Sequence, residues 1–132
     1  METIKIIIEK SADYYDAYAE NCEGIYGAGS TPEDAKQNVL EGLKLFVESR
    51  PKEDLPAILQ KEYNVEFQFD MQSFLKYYER IFNKSALERI TGVNQKLLHH
   101  YSSGLKKPRV TQRKKIEASL HRLGSELMAV TL

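Results

Sequence analysis

The chain has 132 residues, 42% of them hydrophobic and 29% charged, which excludes wholesale disorder and leaves room for one domain or two small ones. No apolar run approaches the roughly 20 residues that span a bilayer, and no basic stretch leads into a long apolar one, so the expectation is a cytoplasmic protein without a membrane segment. The formal net charge of zero conceals two opposite halves: residues 1–70 hold 7 Lys and Arg against 15 Asp and Glu, a balance of −8, and residues 71–132 hold 12 against 4, a balance of +8.

A polyanion such as DNA is repelled by the first half and drawn to the second. Two modules are therefore expected, 1–70 facing a basic protein and 71–132 facing nucleic acid.

Thr3 to Lys10 places Ile4, Ile6 and Ile8 at period two, and β-branched residues in that pattern predict a strand. Ser11, Ala12 and Asp13 form a turn-like break. Tyr14 to Glu20 alternates again, with Tyr15, Ala17 and Ala19 on one side and Tyr14, Asp16, Tyr18 and Glu20 on the other, which predicts an antiparallel hairpin. A third short strand is expected over Ile25 to Ala28, ending at Gly29. Thr31 then caps a helix, Pro32 suits its first position, and Glu33 and Asp34 suit its positive end. Ala35, Val39, Leu43 and Phe46 make the stripe that lies on the sheet, and the helix is expected to stop near Ser49. Residues 50–56 hold two prolines and four charges and read as a turn or linker. After a short helix around Ala57 to Glu62, Val65, Phe67 and Phe69 alternate with Glu66 and Gln68 as a fourth strand of the same sheet. The order β-β-β-α-β makes a compact α+β module.

Gly27-x-Gly29 ahead of a helix superficially resembles a phosphate-binding loop. A full dinucleotide fingerprint needs a glycine where Pro32 stands, and Glu33 and Asp34 repel phosphate, so tight-turn glycines are the better account. Cys22, the only cysteine, cannot close an internal disulfide and has no base near it in sequence, so it reads as an inert reduced thiol.

In the basic half Asp70 is a plausible cap, and Phe74, Tyr78, Ile81 and Phe82 recur at helical spacing. A second helix is expected from Ser85 to Thr91 with Ala86, Leu87 and Ile90 inward, then a tight turn at Gly92-Val93. Asn94 caps a third helix, Gln95 to Ser103, with Leu97, Leu98 and Tyr101 facing the core and Gly104 ending it. Thr111 opens a long fourth helix with Ile116, Leu120, Leu123 and Leu127 in register. Two short helices around a glycine-bearing turn predict helix-turn-helix geometry; a plain helical bundle is the alternative, and the charge of +8 argues against it. With Leu97, Leu98 and Tyr101 inward, the exposed residues of the third helix are Gln95, Lys96, His99 and His100, with Asn94 at the same end. Gln suits adenine and Lys suits guanine, each good pair discriminating by about 1–3 kcal/mol. Lys106, Lys107, Arg109, Arg113 and Ser85 suit phosphates. His99 and His100 point about 100° apart on a helix, which disfavours a shared metal.

Two resemblances follow from these residues. Lys5-Ile6-Ile7-Ile8-Glu9-Lys10, Tyr15-x-Ala17-Tyr18, Gly24 and Gly27-x-Gly29-Ser30-Thr31-x-Glu33-x-Ala35-x-x-Asn38 resemble the N-terminal domain of HicB antitoxins over roughly residues 3 to 48. Where that family has a Pro-x-Leu-Pro-Gly-Cys-like stretch, this chain has Glu20-Asn21-Cys22-Glu23-Gly24 and keeps the glycine alone. Leu87-x-x-x-Thr91-Gly92-Val93-Asn94-Gln95-Lys96-x-Leu98-x-x-Tyr101-x-x-Gly104-x-x-x-Pro108 resembles the lambda-repressor and Cro-like (XRE) helix-turn-helix family. Glu88 stands where that family favours a small residue, which leaves two outcomes open: a looser helix crossing, or a Glu88 that leans outward.

The resemblances imply an α+β chain, a truncated ribonuclease-H-like module followed by an all-α helix-turn-helix module, acting as an antitoxin without catalysis of its own. The implied partners are a small basic HicA-like RNA-cleaving toxin, covered by the acidic module, and operator DNA. Tyr14, Asp16, Tyr18, Glu20 and Glu23 are the expected toxin-facing residues. A homodimer or higher homo-oligomer is expected, through the fourth helix and the apolar tail Leu127 to Leu132. No cofactor is expected. The ribonuclease-H likeness raises metal binding by Glu9, Asp13, Asp16 and Glu20, but the first strand centres on isoleucine where an acid is wanted, and no histidine precedes His99. Two further readings stay open: a stand-alone regulator with a ligand-sensing or oligomerising N-terminal module, and a ribonuclease-H-like enzyme.

Overall fold

Strand β1 (Glu2–Lys10) takes the form its alternating isoleucines dictate, and it sits inside the sheet. In the computed structural model, which describes all 132 residues, β1 pairs antiparallel with β2 (Tyr15–Ala19) and parallel with β4 (Tyr63–Phe69), while β3 (Tyr26–Gly29) flanks β2. The sheet order is β3-β2-β1-β4. The register sets Ile8 beside Ala17 on one side and Phe69 on the other, so Ile4, Ile6, Ile8 and Ala17 share one face and are all 0–1% exposed. Each isoleucine so buried contributes about 1.5–3 kcal/mol.

Helix α1 (Pro32–Glu48) covers that face with Ala35, Val39 and Leu43, all buried. Thr31 caps it by accepting the Asp34 N–H at 3.1 Å. The expected third strand begins one residue later than predicted: Ile25 is buried in the preceding turn, and its carbonyl accepts the Ala19 N–H. Gly27 and Gly29 are not turn glycines, because they lie in β3 and neither has a positive φ. Their role is close approach: a Cβ on Gly27 would stand 2.3 Å from the Val39 nitrogen, and one on Gly29 2.6 Å from the Ala35 nitrogen. Helix α1 therefore rests its backbone against β3.

Residues 50–62 are more than a linker. A 3-10 turn (Lys52–Asp54) and a short helix α2 (Ala57–Gln60) bury Leu55 and Leu59 against the module before β4 begins. The two units recognised by their internal packing are Met1–Asp70 and Met71–Leu132, dividing where the sign of the charge changes.

The second unit contains α3 (Met71–Tyr78), α4 (Lys84–Thr91), α5 (Gln95–Ser103) and α6 (Val110–Met128). Its core is Leu75, Leu87, Val93, Leu98, Tyr101 and Ile116, flanked by Met71, Phe74, Phe82, Leu97 and Leu120. Leu75 and Val93 lie in this core although the helical stripe predicted from the sequence includes neither. Helical spacing places Ile81 in the α3 stripe, but the helix stops at Tyr78, whose carbonyl accepts the Ile81 and Phe82 N–H groups. That tight turn throws Ile81 outward at 59% exposure and returns Phe82 to the core. Asn83 caps α4 by accepting the Ala86 N–H at 2.8 Å. The protein is thus a mixed α+β chain with one four-stranded sheet and six α-helices, none long and apolar enough to cross a membrane.

Candidate nucleic-acid interface

The turn between α4 and α5 is held by one hydroxyl. Thr91 Oγ1, buried, donates to the Leu87 carbonyl at 2.7 Å and accepts the Val93 N–H at 3.1 Å. Gly92 between them has φ 74°, a conformation that glycine adopts without steric cost, and Val93 drops into the core. Asn94 then caps α5 by accepting the Lys96 N–H at 2.7 Å.

With Leu98 and Tyr101 buried, α5 presents Gln95, Lys96 and His99 to solvent, beside Asn94. His100 departs from expectation. It is half-buried, and its Nδ1 is buried without a hydrogen-bond partner, because a residue one position beyond His99 turns about 100° toward the Leu97 side. Lys106, Lys107 and Arg109 are exposed in the loop after α5, and Ser85 is exposed at the start of α4. Arg113 is drawn inward: it is half-buried, and its Nε is buried without a partner. An open cleft of ≈ 670 Å³ lies where the loop meets α5, lined by Leu97 and Tyr101 and by Lys106, Lys107 and Arg109. The arrangement sets a short helix with amide and ammonium side chains beside a cationic loop, which can meet base edges and phosphates together.

Two features of this site were not legible in the sequence. Lys115 of α6 brings its ammonium to the α4–α5 turn, 3.7 Å from where a Gly92 Cβ would stand; nothing in the spacing of 92 and 115 announces it. Glu88 turns toward α5, and its Oε1 accepts the Gln95 N–H at 3.0 Å. A carboxylate at the positive end of a helix is favourably placed.

In the first unit the open face of the sheet gathers tyrosines and acids. Glu9 and Asp16 are cross-strand neighbours, as are Tyr18 and Tyr26. The Tyr18 hydroxyl donates to Glu9 at 2.8 Å, and the Tyr26 and Ser11 hydroxyls donate to the two Asp16 oxygens at 2.5 and 2.7 Å. The bond to Glu9, with partial burial and nearby acids, pushes the Tyr18 phenol up to about 12. The bond to Asp16 does the same for Tyr26, again to about 12. Tyr26 and Glu9 thus join Asp16 and Tyr18 in this cluster, although neither was expected among the partner-facing residues. Antiparallel pairing of the predicted second and third strands was the signal for Tyr26. Tyr14, 43% exposed just before β2, adds to the rise at Tyr26, while Glu20 and Glu23 are exposed in the β2–β3 turn.

Cys22 is buried, and burial pushes its thiol up, away from thiolate reactivity. No three His, Cys, Asp or Glu residues are grouped as metal ligands. Comparison with protein-family models, curated proteins and solved structures found no match to this chain. The likenesses to HicB and to Cro-like domains accordingly rest on the residues quoted above.

Proposed function

We propose that the chain is a two-module antitoxin of the HicB kind that represses its own operon and has no catalysis of its own. The observation that carries this reading is helix α5: Gln95, Lys96 and His99 are exposed beyond a glycine turn, Leu98 and Tyr101 are buried behind them, and Lys106, Lys107 and Arg109 follow in an exposed loop. In this reading Gln95 and Lys96 meet base edges in the major groove, while the loop cations and Ser85 meet phosphates. A balance of +8 over residues 71–132 supports such a role.

The acidic unit, at −8, suits a cationic polypeptide, and a small basic RNA-cleaving toxin is the partner that the resemblance implies. Tyr14, Tyr18 and Tyr26 offer rigid aromatic surface among Glu9, Asp16, Glu20 and Glu23, a mixture suited to Lys- and Arg-bearing surfaces. Leu127, Met128, Val130 and Leu132, each more than half exposed at the end of α6, supply apolar surface for self-association into the dimer that a palindromic operator needs.

Co-expression of the full chain with the small basic protein encoded next to it tests the reading. A complex that survives purification and shifts the duplex upstream of the operon supports it. A chain that binds that duplex but no neighbouring protein is instead a stand-alone regulator.

A further inference from the structure

The N-terminus of a helix is ordinarily a ready anion site, because its first N–H groups are free and the helix dipole is positive there. In helix α5 that property is reduced. Its first two N–H groups, those of Gln95 and Lys96, are taken by the Glu88 carboxylate at 3.0 Å and the Asn94 amide oxygen at 2.7 Å. Glu88 belongs to neither of the ion pairs Lys36–Glu33 and Lys84–Glu79, and it stays partly open to solvent. A negative charge is therefore fixed at the tip of the helix that would enter the groove, within a unit whose overall balance is +8.

We propose that Glu88 is a specificity-determining positioning residue: it ties α5 to α4 and, by its charge, suppresses sequence-independent binding to phosphates. The inference rests on the DNA-binding reading. The hydrogen bond fixes where the Gln95 and Lys96 side chains emerge, so base contacts keep their geometry. The charge opposes the phosphates of random and specific duplex alike, so it subtracts from the electrostatic attraction that supplies essentially all of non-specific binding, while the base contacts that the hydrogen bond positions add to specific binding alone. The cationic loop at Lys106, Lys107 and Arg109 supplies attraction in excess, and Glu88 offsets part of it at the point where discrimination happens.

The test uses the full chain and a fluorescent duplex of random sequence, with binding followed by anisotropy across a salt series. Glu88→Gln keeps an oxygen that can accept the Gln95 N–H and removes the charge. It is expected to bind random duplex about threefold more tightly at low salt, with a log affinity–log salt slope steeper by up to about 0.9. Glu88→Ala removes the same charge and should shift the slope equally while also lowering stability, so the slope separates electrostatics from folding. If wild type binds random duplex and both variants keep its slope, the charge does nothing and the inference is overturned while the DNA-binding reading stands. If wild type binds no duplex at any salt concentration, the reading itself falls and takes the inference with it.

Discussion

Glu9 and Asp16 face each other across the β1–β2 ladder, two like charges at one register position, and each accepts a tyrosine hydroxyl: Tyr18 on Glu9, Tyr26 on Asp16. Directly opposed like charges destabilise a sheet, and the donated O–H groups offset that repulsion.

The phenols report on this arrangement. Both are raised from 10 to about 12 by donating to a carboxylate, so the folded state holds their protons more tightly than the unfolded state does. Their contribution to stability is complete below pH 10 and is lost as pH rises toward 12. Ultraviolet titration of tyrosinate should show a late phase from two of the eight tyrosines, which disappears in the Tyr18→Phe, Tyr26→Phe double variant. A single phase near pH 10 in the wild type would show that the two hydroxyls are free.

Gly27 and Gly124 make an opposed pair of tests. A Cβ on Gly27 meets backbone atoms of Val39 and Asn38 at 2.3–2.7 Å, so Gly27→Ala must lift α1 from β3. Overpacking of this kind costs roughly 1–3 kcal/mol, and the upper end is expected because backbone cannot swing aside. A Cβ on Gly124 meets nothing within 4 Å on the exposed side of α6, so Gly124→Ala should stabilise by up to about 1 kcal/mol through helix propensity. Denaturant unfolding of the two variants should move in opposite directions.

Thr91→Val keeps the shape of the α4–α5 turn but removes its hydroxyl. The buried Val93 N–H is left without its acceptor, at a cost of about 1–3 kcal/mol. Unfolding midpoints should fall accordingly. Amide exchange at Val93 should accelerate more than exchange in α6.

Under the proposed function, Lys96 and Lys107 separate base reading from phosphate binding. Lys96→Ala should weaken binding to the operator duplex and relax preference at one base position, worth about 1–3 kcal/mol there. Lys107→Ala should weaken all duplexes alike and flatten the salt slope by about one unit. Mobility shifts on matched and mutated duplexes distinguish the two. If neither substitution alters the shift, α5 is not the recognition helix.

Local order along the chain carried most of the secondary structure. Ile4, Ile6 and Ile8 announced β1, Thr31-Pro32 announced the start of α1, and Gly92 and Gly104 marked the ends of α4 and α5, because each feature acts within one turn or one strand. The helix limits of α5 came out as expected, since Asn94 and Gly104 bracket it with a cap and a left-handed stop. Boundaries slipped where a tertiary contact overruled the local pattern, as at Ile25, buried ahead of β3, and at Tyr78, where the chain turns to bring Phe82 inward.

Charge partition, strand alternation and capping chemistry are properties of neighbours in the chain, and so could be read there without coordinates. Contacts between distant positions could not. Glycines 27 and 29 looked like turn residues and proved to be the floor under α1, Glu88 proved to cap α5, Lys115 reached the α4–α5 turn, and His100 and Arg113 turned partly inward. Each depends on which surface a helix or strand lays against its neighbour, a choice made by packing the two cores, to which a single residue's own preferences contribute only weakly.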